Sequence, residues 1–156
     1  MDLFNPDFAD FITSLNKYKV RYMLVGGYAV VIRGFSRSTG DIDIFVDKTV
    51  ENFRFLINAI IAFGLPTSAI EEEKFFSEEF DVFSFGRPPY AIEILTNLKG
   101  ISSFDEAYKL STVEEIENIS VRVIHLKHLI VSKKAAGRSK DKYDVENLPE
   151  IEEGTQ

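Results

Sequence analysis

Apolar and polar positions in the first half of the chain follow helical and extended patterns in turn. Helical spacing predicts helices over residues 5–16, 27–33 and 50–63, and the first begins at an Asn-Pro pair that is typical of a helix start. Residues 21–25 are apolar without alternation, as in a strand that is buried on both faces. Residues 41–46 begin with two acids separated by an apolar residue, and they predict a second strand.

The second half of the chain predicts a hairpin, one further strand and shorter helices. Residues 80–85 and 90–95 are strand-like and are joined by Gly-Arg-Pro-Pro, which predicts an antiparallel hairpin. The other assignments are a loop over 66–73, a helix over 102–109, a peripheral acidic segment over 113–117, a strand over 119–124 and helices over 127–136 and 141–148. The pattern therefore mixes helices and strands along the whole chain.

Length and composition indicate one domain and narrow the range of partners. The 156 residues suit a single core, so residues 1–148 are predicted to form one domain with C-terminal helices, followed by an acidic tail over 149–156. The absence of cysteine and of a basic, apolar leader favours a cytoplasmic location. No apolar run is long enough for a membrane span. The formal net charge of −7 argues against a broad surface for long duplex nucleic acid.

Two aspartates on the second predicted strand carry the candidate chemistry. Asp41 and Asp43 are two residues apart, so a strand directs both side chains to one face, with Cα atoms about 6.6 Å apart. Carboxylates this close can converge on divalent cations, while Ile42 between them points toward a core. The Gly26-Gly27 turn offers backbone N–H groups that suit a phosphate. Both features are suited to phosphoryl or nucleotidyl transfer.

The spacing of these features resembles the signature of the DNA polymerase β-type nucleotidyltransferase superfamily. Gly26-Gly27, a gap of 13 residues and then Asp41-Ile42-Asp43-Ile44 follow its order of a glycine pair and an Asp-apolar-Asp/Glu-apolar motif. The run 133–144 resembles the C-terminal helical motif of small prokaryotic members of the abortive-infection toxin type. The resemblance covers most of residues 20–148. It implies an α/β (α+β), nucleotidyltransferase-like fold, in which helices flank a mixed, mostly antiparallel sheet of four or five strands.

The resemblance also implies a third carboxylate, two Mg²⁺ ions and an NTP substrate. We place the third carboxylate at Glu93, an acid between apolar strand neighbours, with Asp81 as the alternative. The predicted catalytic residues and metal ligands are thus Asp41, Asp43 and Glu93. The predicted nucleotide-binding residues are Gly26, Gly27, Arg37, Ser38, Lys133, Lys134 and Arg138. For the charged members of this set, the alternative interpretation is a solvated loop or helix face.

Two classes of function remain open from the sequence. The first is a Mg²⁺-dependent nucleotidyltransferase that moves a nucleoside monophosphate from an NTP to a hydroxyl acceptor, within a toxin–antitoxin system that includes a cognate partner protein. The acceptor is left open among a small molecule, a protein hydroxyl and a tRNA end. The second is a non-catalytic module of a toxin–antitoxin pair that binds a nucleotide or a partner protein. The intact acids favour the first class, because a structural role does not require them.

Overall fold

The computed structural model describes residues 3–87 and 89–151, and within them helices and strands are mixed along the chain as the sequence predicts. The helices are α1 (Pro6–Lys17), α2 (Gly26–Ile32), α3 (Val50–Phe63), α4 (Glu72–Phe76), α5 (Phe104–Leu110), α6 (Leu126–Ala136) and α7 (Ser139–Asn147), with a 3₁₀ turn at Thr67–Ala69. The strands are β1 (Tyr22–Val25), β2 (Ile42–Val46), β3 (Val82–Phe85), β4 (Ile92–Leu95), β5 (Thr112–Ile116) and β6 (Ile119–Val123).

One mixed sheet organises the described residues, with the strand order β3-β4-β2-β1-β6-β5. Three of its neighbouring pairs are antiparallel, namely β3 with β4, β2 with β1, and β6 with β5. The pairs β2 with β4 and β1 with β6 are parallel. The predicted α/β class, the mostly antiparallel sheet and the antiparallel hairpin of β3 and β4 are therefore confirmed.

The sheet has six strands, one more than the upper limit that the sequence predicts. The additional strand is β5, which lies in the segment predicted to be peripheral and acidic. It pairs with β6 alone and forms an edge of the sheet, and three of its five side chains are exposed and two are acidic. An edge strand with little burial lacks the apolar alternation by which strands are recognised in a sequence.

The segment predicted as a loop over 66–73 contains more structure than expected. It holds the 3₁₀ turn and the start of α4, a helix of five residues. Phe75 anchors this short helix because its ring is fully buried and lies 4.9 Å from the ring of Phe53 on α3. Aromatic packing across the chain therefore fixes a segment that has too few residues for a helical pattern.

The apolar core lies around the central strands, and the ends of its helices are set by local caps. The side chains of Asn5, Thr49 and Ser103 each accept a hydrogen bond from the backbone N–H three residues later, which confirms the predicted starts of α1, α3 and α5. Helix α1 packs against α3 and β6, whereas α2 packs against β1, β2 and α6. This arrangement brings α6 and α7 close to the end of β1 that leads into α2.

Two further expectations concern the membrane and the tail. Across residues 3–87 and 89–151, every helix is too short or too polar to cross a membrane. The division into one domain over 1–148 and an acidic tail over 149–156 stays a prediction, because most of the tail lies outside the described residues.

Candidate active site

A cavity of about 900 Å³ lies where β1, β2 and β4 meet α6 and α7. Its volume is within the usual range for sites that enclose small ligands. Its lining includes most of the predicted site residues, namely Gly26, Gly27, Arg37, Ser38, Asp41, Asp43, Glu93, Lys133 and Arg138. The alternative third carboxylate, Asp81, also lines it. Lys134 is exposed and does not line the cavity.

Strand register brings the acidic residues together. In the parallel pair of β2 and β4, Asp43 lies opposite Glu93, and in the antiparallel pair of β1 and β2 it lies opposite Val25. Val25 leads directly into Gly26, so Asp43 lies between a second carboxylate and the glycine turn. Asp41 precedes β2, and its Oδ1 accepts a hydrogen bond of 2.8 Å from the Ala91 backbone N–H.

The environment of Asp43 shifts its ionisation toward the protonated form. Burial is the largest contribution, and repulsion from Glu93 together with a hydrogen bond between the two side chains adds to it, which raises the pKa of Asp43 to about 7. The charge of Asp41 acts in the same direction, whereas the positive charge of Lys133 opposes it. A positive ligand that neutralised this acidic pair would therefore bind with a favourable electrostatic contribution.

Positions 26 and 27 require glycine, because other side chains occupy the space that a Cβ would need. Gly26 has a φ of +67°, and a Cβ on it would lie 2.1 Å from Oδ2 of Asp43. A Cβ on Gly27 would lie 2.1 Å from the Thr39 hydroxyl and 3.3 Å from Nη2 of Arg37. The turn therefore has a carboxylate on one glycine and a hydroxyl and a guanidinium on the other.

The opposite wall of the cavity is a buried ion network of α6 and α7. Nζ of Lys133 lies 3.2 Å from Oδ1 of Asp141 and 2.9 Å from Oδ2 of Asp144. Burial by itself would raise the pKa of Asp141, but hydrogen bonds from Arg138 and Lys133 outweigh it and lower that pKa. The pKa of Asp144 is lowered against burial in the same way, by Arg37 and Lys133. Both aspartates are thus held in the charged form.

The arginines that border the cavity join this network. Arg37 donates from Nε and Nη2 to the two carboxylate oxygens of Asp144, at 2.7 and 2.9 Å. Arg138 donates from Nε to Oδ2 of Asp141 at 2.7 Å, yet 62% of its side chain remains exposed. The two side chains therefore differ, since Arg37 is mostly enclosed and Arg138 extends toward solvent.

Comparison with known proteins follows this geometry. The family model described as "Nucleotidyltransferase of unknown function (DUF6036)" matches residues 7–152. The chain belongs to this family. The resemblance predicted from the glycine pair and the Asp-Ile-Asp motif is thereby confirmed. No curated protein matches the chain.

Two solved structures share the fold of this DUF6036 member. A candidate nucleotidyltransferase from Thermotoga maritima, TM1012, has 14% sequence identity and a TM-score of 0.62, with 93% of this chain and 94% of that chain covered. The lincosamide antibiotic adenylyltransferase LnuA, in its lincomycin-bound form, has 15% identity and a TM-score of 0.59, with 94% of this chain and 97% of that chain covered. At these identities the similarity shows the fold, and it extends over nearly the whole length of both chains.

The acids of the DUF6036 site include two adjacent carboxylates, those of Asp43 and Glu93, but they do not form a complete set of metal ligands. In the described part of the chain, no group of three or more His, Cys, Asp or Glu side chains has the arrangement of a metal site. Asp43 and Glu93 nevertheless fit a hard divalent cation, because they supply oxygen ligands whose mutual repulsion such an ion would relieve. Asp41 also lines the cavity, and its Oδ1 accepts the Ala91 N–H, which leaves Oδ2 as the oxygen that could join them.

Among the residues that line this DUF6036 cavity and were not predicted from the sequence, three contact or closely approach the predicted site residues. They are Thr39, Asp141 and Asp144. Asp141 and Asp144 are three residues apart on a helix, so they share a face, and a face that buries two acids needs a cation such as Lys133. The spacing of Asp141 and Asp144 was therefore the feature of the sequence that could have identified them. The position of Thr39 over Gly27 depends on how the 33–41 segment folds back, which has no comparable signal in the sequence.

Proposed function

We propose that this chain transfers a nucleoside monophosphate from an NTP to a hydroxyl acceptor. The observation that carries the proposal is one cavity that contains the Asp43–Glu93 pair, the Gly26-Gly27 turn and a cationic wall. The acids suit a divalent cation, and the glycines and arginines suit the phosphates of a nucleotide. Family membership supports the reaction class.

In the proposed reaction, the acceptor oxygen forms a bond to the α-phosphorus, the bond to the bridging oxygen of the β-phosphate breaks, and pyrophosphate leaves. A divalent cation held by Asp43 and Glu93, with Asp41, would supply charge neutralisation and acidify the acceptor hydroxyl. The hydroxyl proton passes to the carboxylate side of the cavity, where Glu93 and Asp43 are the available bases. Gly26 and Gly27 permit the phosphates to approach the backbone, and Arg37, Ser38 and Arg138 border the same space.

The size of the cavity bears on the acceptor. A volume of about 900 Å³ admits a nucleotide together with a small acceptor or a single side chain, and the net charge of −7 disfavours a long track for a polymer. LnuA, which shares the fold, acts on a lincosamide antibiotic, so a small hydroxylated compound is one acceptor class to test. A toxin–antitoxin context, in which the acceptor is a protein hydroxyl or a tRNA end, is the other. In either case we propose addition of one nucleotide per acceptor.

A thermal-shift panel of the four NTPs with Mg²⁺ is the first test of this proposal. We expect at least one NTP to raise the melting temperature in a Mg²⁺-dependent manner, and we expect Asp43→Asn and Glu93→Gln to abolish the shift. Asp105→Asn is a matched control, because Asp105 is an exposed acid that pairs with Arg21 away from the cavity. Transfer of label from an α-³²P-NTP to small molecules, protein or tRNA then identifies the acceptor.

The outcomes separate catalysis from binding alone. NTP binding without transfer to any acceptor would favour the non-catalytic alternative, in which the module binds a nucleotide or a partner protein. Absence of any NTP-dependent shift would contradict the proposed function. Products extended by many nucleotides would contradict the single-addition part of the proposal and leave the reaction class intact.

A further inference from the structure

Arg37 is held in place by a residue from the far end of the chain. Two of its nitrogens donate to both oxygens of Asp144 on α7, which is 107 residues later, and Nη1 donates to the carbonyl of Ser38 at 2.8 Å. A bidentate pair of this kind fixes the plane of the guanidinium as well as its position. The side chain of Asp144 is 1% exposed, so it lacks the freedom of a surface carboxylate.

Asp144 is itself fixed from behind by α6. Its Oδ2 lies 2.9 Å from Nζ of Lys133, and Lys133 is also bound to Asp141. The carboxylate therefore has a cation on each side and is attached to two helices. It can therefore hold Arg37 at a constant position against α7.

This arrangement places Arg37 beside the glycine turn. Its Nη2 lies 3.3 Å from the point that a Cβ on Gly27 would occupy. A guanidinium has five N–H donors, and the three hydrogen bonds named above leave two for a ligand. The network of Arg37, Lys133 and Arg138 with Asp141 and Asp144 contains three cations and two anions. It therefore keeps a surplus positive charge for an anionic ligand.

We propose that Asp144 is a positioning residue for nucleotide binding, which holds the Arg37 guanidinium beside the Gly26-Gly27 turn before the triphosphate arrives. The inference rests on the proposed function. Arginine has a long and flexible side chain, and ordering it during binding would weaken affinity. Asp144 removes that cost because the ordering is completed in the free protein.

The helix that carries Asp144 has a second attachment to the same segment. The rings of Phe35 and Tyr143 pack edge to face with their centroids 5.4 Å apart. This contact docks α7 on the 33–41 segment without the Arg37–Asp144 pair. Removal of the Asp144 charge can therefore be studied in a protein whose α7 remains docked.

A double-mutant cycle with the NTP that wild type binds most tightly, in the presence of Mg²⁺, tests this inference by calorimetry. We expect Asp144→Asn and Arg37→Ala each to weaken affinity about tenfold, and the double variant to lose no more than either single variant, because the two residues act as one unit. Asp47→Asn is the matched control. It breaks a partly buried pair with Arg21 outside the cavity, so it should lower the melting temperature and leave NTP affinity unchanged.

Each outcome of the cycle is decisive. If Asp144→Asn lowers only the melting temperature, or if the two losses of affinity multiply, Asp144 has no positioning role. If Asp144→Asn does not fold, Arg37→Lys replaces it, because lysine keeps the charge but cannot form the bidentate pair. Loss of affinity in Arg37→Lys close to that of Arg37→Ala supports the inference, and wild-type affinity overturns it. A wild type that binds none of the four NTPs overturns the proposed function and this inference with it.

Discussion

The buried acids on the two walls of the cavity have opposite surroundings. On the strand wall, Asp43 and Glu93 face each other as like charges, and burial and repulsion raise the pKa of Asp43 to about 7. On the helical wall, Lys133 lies between Asp141 and Asp144, and hydrogen bonds from cations lower the pKa of both aspartates. The strand wall therefore lacks a positive charge, whereas on the helical wall both aspartates are paired and one positive charge is left over.

Charged residues in one site can therefore have two roles, which are to bind a ligand and to stabilise the fold. A wall of repelling acids reduces the stability of the free protein and is relieved by a cationic ligand. A wall of buried, paired charges is costly to break, because the remaining partner would be buried alone. Mutations on the two walls should therefore change stability in opposite directions, and the following four predictions test that contrast in order of decreasing effect.

Lys133→Met should have the largest effect on stability. It leaves two buried aspartates without their shared cation, and breaking a buried pair in this way costs about 3–5 kcal/mol. Urea unfolding at pH 7 measures the loss. A loss below about 1 kcal/mol, comparable to an ordinary surface substitution, would show that the helical wall does not depend on its central cation.

Gly26→Ala should destabilise the free protein by about 2 kcal/mol. The residue has a left-handed φ of +67°, and its new Cβ would lie 2.1 Å from the Asp43 carboxylate. Combination with Asp43→Ala removes the carboxylate, the nearest obstacle, and leaves the backbone strain and a 3.0 Å contact with the Cβ of residue 43. The double variant should recover part of the loss in thermal unfolding. No recovery would show that Asp43 is not the obstacle.

Asp43→Asn should stabilise the free protein by about 1–2 kcal/mol at pH 8, in contrast to the first two substitutions. The pKa of Asp43 rises from 3.8 in the unfolded chain to about 7 in the folded protein. Between these two pH values the folded protein therefore holds a proton that the unfolded chain has lost. The wild type should therefore lose stability as pH rises through this window. Urea unfolding from pH 4 to pH 8 should show this decline in wild type and a smaller one in the variant. Equal slopes would contradict the prediction.

Lys134→Glu should have the smallest effect, although the sequence analysis places Lys134 among the nucleotide-binding residues. The side chain is exposed and does not line the cavity, so we expect a change in stability within about 0.5 kcal/mol and NTP affinity within twofold of wild type. Calorimetry with the best-binding NTP measures the second quantity. A tenfold loss of affinity would restore Lys134 to the site.

The sequence predicts the strand wall well and the helical wall only in part. Asp41 and Asp43 could be placed on one face because residues two apart in a strand always share a face. The partnership of Asp43 with Glu93 was expected only through the family resemblance. It depends on a parallel pairing of β2 with β4 across an intervening crossover, which local patterns do not encode.

On the helical wall, the sequence shows a run of basic residues but not their burial. Lys133 and Lys134 are adjacent and identical, yet the first is buried between two acids and the second is exposed. The difference arises from the direction in which each points from α6, and therefore from how α7 packs on α6. Tertiary packing thus decides which of two adjacent lysines lines the cavity. The roles predicted for the individual site residues stay predictions.

The parallel pairing of β2 with β4 also has a consequence for folding. The hydrogen bond from Ala91 to Asp41 and the facing of Asp43 with Glu93 join segments 50 residues apart, so closure of a long loop must precede them. Until β4 docks, Asp43 is an ordinary solvated acid that is ionised at pH 5 to 6. Docking of β4 buries it beside Glu93 and raises its pKa. At those pH values the docking of β4 on β2 is therefore coupled to uptake of a proton from solvent.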